Sequence, residues 1–181
     1  AKELPESITI TVAAREALQQ MHRQFLNRGI VGLSLNGSEK EIFAVAGNLD
    51  EVMLVIGHEL GHVLTPALGS QKAEEAKAFA FEMAWAQAIF EHDIAGLRNS
   101  INAAAISMKP AANGLHDLAF AFVNAATMIA GKEPLALHSE IAGRHDFDID
   151  FESESQATAA APVSYVPLTN STPHRAGYQS G

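Results

Sequence analysis

Three residues in this sequence have the types and spacing for hydrolytic metal chemistry: His58, Glu59 and His62, within Gly57-His58-Glu59-Leu60-Gly61-His62. On a helix, residues four apart lie one turn apart on one face. Two imidazoles so placed can bind one Zn2+ through ring nitrogens, and the Glu after the first stands beside the metal as a proton acceptor for water. A catalytic zinc site has three protein ligands and one open position. Glu75 is the expected third ligand, with Glu74 as the alternative. Glu82 lies seven residues beyond Glu75 on the same helical face. It is a candidate to hold an imidazole nitrogen from behind, or simply an exposed charge. The opposing reading is two inert histidines on an ordinary core helix.

Several elements must position these groups. Asn48 and Glu51 form a capping-box pattern, and Leu49, Val52, Met53, Ile56, Leu60, Val63 and Leu64 recur at helical spacing. Gly57 and Gly61 each cost about 1 kcal/mol relative to Ala in a helix, so their spacing implies a backbone packed closely against them. Thr65-Pro66 ends this helix. Ser70 caps the next, which runs to His92 and carries Glu74 and Glu75 in its first turns, where the helix dipole favours carboxylates. An antiparallel return brings those carboxylates back beside His58 and His62.

Upstream, residues 7–11 alternate as a short strand, and residues 12–28 read as a helix stopped by Gly29. Residues 30–35 and 41–46 read as strands joined by Asn36-Gly37-Ser38, an antiparallel hairpin. Residues 41–46 are the candidate edge along which an extended peptide would lie. Downstream, residues 94–108 and 113–130 read as helices, the second capped by Asn113 and stopped by Gly131. His92 is assigned to a surface cluster; His116 and Asp117 could approach the site from the second helix, although exposed positions are favoured, and Glu74, His92, His116 or the tail could supply a fourth ligand. Residues 134–144 are mixed in pattern. Residues 145–152 alternate as a strand with an acidic face. Asp146, Asp148 and Asp150 resemble the start of a calcium loop, but Phe151 stands where that loop needs Gly and Ala157 where it needs Glu. Arg144 and His145 are candidates to stabilise an oxyanion.

The expected organisation is one domain, residues 1–151, with a polar tail over residues 152–181. Within the tail, Val163-Ser164-Tyr165-Val166-Pro167-Leu168 is a strand-like island that could lie in the cleft of its own or a neighbouring molecule. The expected fold class is α+β, a small antiparallel sheet packed on a mainly helical domain.

The sequence His58-Glu59-Leu60-Gly61-His62, followed by Glu75-Ala76-Lys77-Ala78-Phe79-Ala80, resembles the gluzincin-type metallopeptidases, most closely the ImmA/IrrE-like group. The resemblance spans roughly residues 30–90 and rests on short motifs. It implies His58, His62 and Glu75 as zinc ligands, Glu59 as general base, and a small sheet beside the active-site helix. Lys77 stands where that group usually has Asn or Asp, and Glu82-Met83-Ala84-Trp85 replaces Leu-Leu-Met-Pro.

Composition narrows the function further. The net charge of −9, with no basic cluster interleaved with aromatics, excludes an ordinary nucleic-acid binder. Cysteine is absent, so zinc would have to use His and carboxylate. No apolar run reaches the roughly 18–20 residues of a membrane span. The chain opens without a signal-peptide pattern, so a cytoplasmic setting is expected. The expected activity is zinc-dependent hydrolysis of a peptide or protein substrate. The alternative is a non-catalytic binding or assembly protein with a structural metal closed by a fourth ligand, or a degenerate site that binds peptides without cutting them.

Overall fold

The computed structural model of the protein describes residues 7–107, 110 and 112–143. The expected strand at 145–152, the oxyanion candidates Arg144 and His145, and the tail with its island lie outside these residues.

The fold is α+β: among the described residues, a three-stranded sheet lies beside six helices. Strand β1 (Thr9–Ala13) leads into helix α1 (Arg15–Met21). The helix expected over residues 12–28 is interrupted, because His22 is extended and a 3-10 turn, Arg23–Leu26, follows. Arg15 donates to the carbonyls of Phe25, Asn27 and Arg28, and Gln19 also donates to Phe25. The chain folds back and buries Phe25 with Leu18 against Phe43. Burial of two large side chains at once outweighs continuation of the helix.

Strands β2 (Gly32–Asn36) and β3 (Lys40–Val45) form the expected antiparallel hairpin. The sheet as a whole is mixed, not antiparallel, because β1 pairs with β3 in parallel, Thr9 opposite Glu41 through Ala13 opposite Val45. The strand order is β1-β3-β2. Residues 41–46 were expected to form an edge, yet β3 is the central strand, hydrogen-bonded on both sides. Its burial explains this. Ile42 and Ala44 face one core and Phe43 another, so both faces are covered, as suits a central strand.

Helix α2 (Leu49–Val63) carries the histidines and lies on the sheet. Val52, Ile56, Leu60 and Val63 bury against Ile42 and Ala44. Asn48 occupies the N-cap position, but its side chain makes no capping bond. Helix α3 (Gln71–His92) returns antiparallel to α2, with Ser70 accepting from the Ala73 amide as expected. It is buried on several sides, against α2 and the helices that follow.

Both helical glycines are explained by this pairing. A Cβ at Gly61 would meet the Ala78 Cα at 2.6 Å and its carbonyl oxygen at 3.0 Å. A Cβ at Gly57 would meet the Trp85 ring at 2.5 Å. The first obstacle is backbone and cannot rotate away. Gly61→Ala should therefore lose stability despite the better helix former, by on the order of 1–3 kcal/mol as in other overpacked cores. Gly69, with nothing within 4 Å, is the control. Thermal unfolding should show a lower midpoint for Gly61→Ala and little change for Gly69→Ala. Equal midpoints would mean that α2 and α3 are not in backbone contact there.

Asp93, at φ 49°, ends α3, and its carboxylate accepts from the Arg98 amide to start α4 (Arg98–Ser107). Helix α5 (His116–Asn124) widens into a π-helical stretch, Ala125–Ile129, and stops at Gly131, at φ 68°. Residues 134–144 prove helical as far as Gly143: α6 (Pro134–Gly143) begins with Pro, where a missing N–H costs nothing. Leu137 and Ile141, one turn apart, join Ala76, Phe79, Ala80, Phe122 and Val123 in the helical core. No helix among the described residues is long and apolar enough to cross a membrane.

Candidate metal centre

The close approach of α2 and α3 sets two histidines opposite three glutamates. Each imidazole is held from behind. His58 Nδ1 lies 3.1 Å from Glu82 Oε2, and His62 Nδ1 lies 2.8 Å from Glu74 Oε1. Both Nε2 atoms are thereby turned toward one oxygen, Glu75 Oε2, at 3.2 Å from His58 and 3.9 Å from His62. One ligand atom from each of His58, His62 and Glu75 lies within 4.8 Å of the other two. Glu75, rather than Glu74, is the carboxylate facing both rings.

Glu74 is committed elsewhere. Besides His62 it accepts from the Leu68 amide at 2.8 Å and pairs with Lys77 at 2.9 Å. Burial acts to raise its pKa, but these partners prevail and hold it down at about 2. Lys77, fully buried, also donates to the Pro66 carbonyl. It thus ties the 64–70 connection to α3. Glu82, 4% exposed in its side chain, is pushed up by burial, with His58 opposing and Glu59 reinforcing the shift.

Glu59 is buried on the sheet side of α2. Its carboxylate fills the space where a side chain on Gly32 would stand, beside Val55. Gly32 in β2 therefore leaves room for the general-base candidate. Asn36 in the same strand donates to the carbonyls of His62 (2.8 Å) and Thr65 (3.0 Å), fastening β2 to the end of α2.

Of the two positions the sequence leaves open for His116, the exposed one it favours is not the one adopted: His116 reaches the site. Its Nε2 lies 3.4 Å from Glu75 Oε2, and its side chain is 35% exposed. Only the packing of α5 against α3 brings it there. Phe79, one turn beyond Glu75, forms an apolar floor between the rings of His58 and His116. His92 sits exposed at the far end of α3, outside the cluster. His138 is buried on α6 and bonds through Nδ1 to the Lys77 carbonyl, which a ring N–H satisfies without any metal.

These donors fit a divalent cation. Four carboxylates, Glu59, Glu74, Glu75 and Glu82, stand around His58 and His62, and Lys77 pairs with Glu74. Glu75 Oε2 is buried and has no aligned hydrogen-bond partner, although three imidazole nitrogens surround it. Such an orphaned oxygen calls for a positive charge. Without metal, a proton supplies part of it. Burial acts to lower the His58 pKa, but Glu75, Glu82 and Glu59 prevail and raise it to about 10. Burial likewise opposes ionisation of Glu75, and His58, His62 and His116 prevail in lowering its pKa.

Metal-free protein thus carries His58 protonated at neutral pH. That proton stabilises the fold below the ordinary imidazole pKa, and the stabilisation is lost as pH rises through about 10. A metal ligand must give up its proton. Zinc binding at pH 7 should release about one proton from His58, and affinity should fall by up to about tenfold per pH unit on acidification. Calorimetry in buffers of different ionisation enthalpy measures this directly. Zinc binding without proton release would remove His58 from the ligand set.

No protein-family model, no curated protein and no solved structure matches this chain. The site itself defines the class: an α+β domain with a His-His-Glu cluster, its imidazoles backed by two further glutamates, between its first long helix and the helix that returns beside it.

Proposed function

We propose that the protein is a zinc-dependent metallopeptidase of gluzincin type. The observation that carries this reading is the convergence of His58, His62 and Glu75, with each imidazole backed by a carboxylate. Two His and one Glu form a three-ligand set of the kind that leaves a position for substrate or water. Zinc held there would act as a Lewis acid and lower the pKa of water toward about 7.

The chain supplies the rest. Glu74 and Glu82 fix the ring orientations and keep the Nδ1 protons on the far side of each imidazole. Glu59 accepts a proton from the attacking water as its oxygen bonds to the peptide carbonyl carbon. It then passes that proton to the leaving nitrogen as the C–N bond breaks. Strand β2, at the sheet edge nearest α2 and open on one side among the described residues, offers a peptide its unpaired backbone groups. It replaces residues 41–46 in that role.

A second reading rests on His116. If its Nε2 is a fourth ligand, the centre is closed and the protein is a metal-stabilised binding or assembly module. The test is elemental mass spectrometry of the purified protein together with cleavage of a diverse peptide mixture, with and without chelator. About one zinc per chain, with cleavage lost on chelation and restored by zinc, is the expected result. A zinc-loaded chain that cuts nothing would favour the second reading, and a chain that binds no zinc would end both.

A further inference from the structure

The three imidazoles around Glu75 are not equivalent, and the hydrogen bonds behind them show why. His58 and His62 each turn Nδ1 to a carboxylate, which can only accept while ionised. While that carboxylate is ionised, each Nδ1 carries hydrogen, and the Nε2 of the neutral ring presents a lone pair. His116 turns Nδ1 to Asn113 instead, at 2.9 Å from Nδ2. The Asn113 amide cannot be the other way round. Its oxygen accepts from the backbone amides of Leu115 (3.0 Å) and His116 (2.9 Å), so the group facing the imidazole is the NH2. An NH2 only donates. His116 Nδ1 must accept, and the hydrogen of the neutral ring sits on Nε2, the atom that faces the site at 3.4 Å from Glu75 Oε2.

We propose that Asn113 locks His116 as an Nε2–H donor, so that His116 is not a fourth ligand but a catalytic residue that hydrogen-bonds the carbonyl oxygen of the scissile peptide. This rests on the metallopeptidase reading and deepens it. A protonated ring nitrogen has no lone pair for a metal, so the same bond that makes His116 a donor keeps the centre open. As water adds to the carbonyl carbon, negative charge grows on the oxygen, and a fixed N–H aimed at it stabilises the transition state more than the ground state. His116 transfers no proton in this step. The proton from water travels through Glu59 to the leaving nitrogen.

Asn113 and His116 are three residues apart, the first ahead of α5 and the second its first residue, so the lock is built into the start of the helix.

The experiment uses zinc-loaded full chain, its His116→Ala variant, and Asn113→Asp. The aspartate can still accept from both backbone amides but offers His116 a second acceptor, which draws the ring hydrogen to Nδ1. Imidazole 15N–1H correlation spectra at mildly alkaline pH report the tautomer directly. The expected result is a protonated Nε2 on His116 in wild type and a bare Nε2 in Asn113→Asp. His116→Ala should keep its zinc and lose on the order of 10²–10³ in kcat, with KM changing far less. Asn113→Asp should lose kcat in the same direction. A metal-bound Nε2 on His116, zinc lost from His116→Ala, or wild-type kcat in that variant would overturn the proposal. Wild-type protein that holds zinc and cleaves nothing would overturn the hydrolytic reading instead, while a protonated Nε2 in it would still rule His116 out as a ligand.

Discussion

Glu75→Gln should leave the protein folded and strip it of high-affinity zinc. The substitution keeps shape and volume and removes the negative charge on which the Nε2 atoms of His58 and His62 converge. A neutral amide oxygen is a much poorer partner for a dication. Loss of a supporting outer partner alone costs about 10–100-fold in metal affinity, and loss of a direct anionic ligand should cost at least that much. The effect is readable without any substrate. Zinc that binds only the folded state raises stability by about 2.7 kcal/mol at a hundred times its dissociation constant. Wild-type protein should therefore show a zinc-dependent rise in thermal midpoint that Glu75→Gln lacks. An undiminished rise would place the third ligand elsewhere. Glu74 would be the next candidate, although its carboxylate is turned to His62 Nδ1, Lys77 and the Leu68 amide. Glu82→Gln should behave differently, keeping zinc with weaker affinity, since Glu82 meets only the far side of His58.

The other large effect belongs to Glu59. Glu59→Gln keeps a side chain of the same size against Gly32 and cannot accept a proton. Zinc content and the zinc-dependent midpoint should match wild type, while kcat falls by about 10²–10⁴, the usual contribution of a general base. The pairing of an unchanged metal site with lost turnover is the signature. Peptide cleavage at the wild-type rate would take the general-base role from Glu59. Gly32→Ala tests the same geometry from the strand. Its Cβ would fall 2.6 Å from Val55 Cγ1 and closer still to the Glu59 carboxylate. It should displace the Glu59 carboxylate and, on the proposed mechanism, lower kcat without removing zinc.

Much of this arrangement follows from local sequence. His58, Glu59 and His62 are neighbours on one helix, and a helix fixes their relative placement by its period alone. Ser70 does cap α3. Gly57 and Gly61 do mark a close contact, because glycine inside a helix is costly unless something occupies the missing side chain's space. Glu75 and Glu82 fall opposite His58 because a short connection after Pro66 forces an antiparallel return. Each of these depends on contacts within some thirty residues, where spacing and turn chemistry suffice.

What sequence did not yield depends on longer-range choices. The parallel pairing of β1 with β3 makes β3 central and passes the free edge to β2; strand signals carry no information about partner or order. The break in the 12–28 helix reflects Phe25 burying with Leu18 and Phe43, a tertiary demand that overrides helical propensity. Helix α6 was hidden because its apolar residues, Leu137 and Ile141, become a core face only against α3. His116 is the clearest case. Alone it is a polar residue at the start of a helix; the packing of α5 on α3 carries its Nε2 to Glu75, forty-one residues back in the chain. The sequence by itself determined that His58, Glu59 and His62 stand within about one turn of one helix, since helix periodicity is local. Only the tertiary structure decided which carboxylate faces the two imidazoles, which edge lies open among the described residues and which third imidazole joins them, because those depend on how separate elements pack.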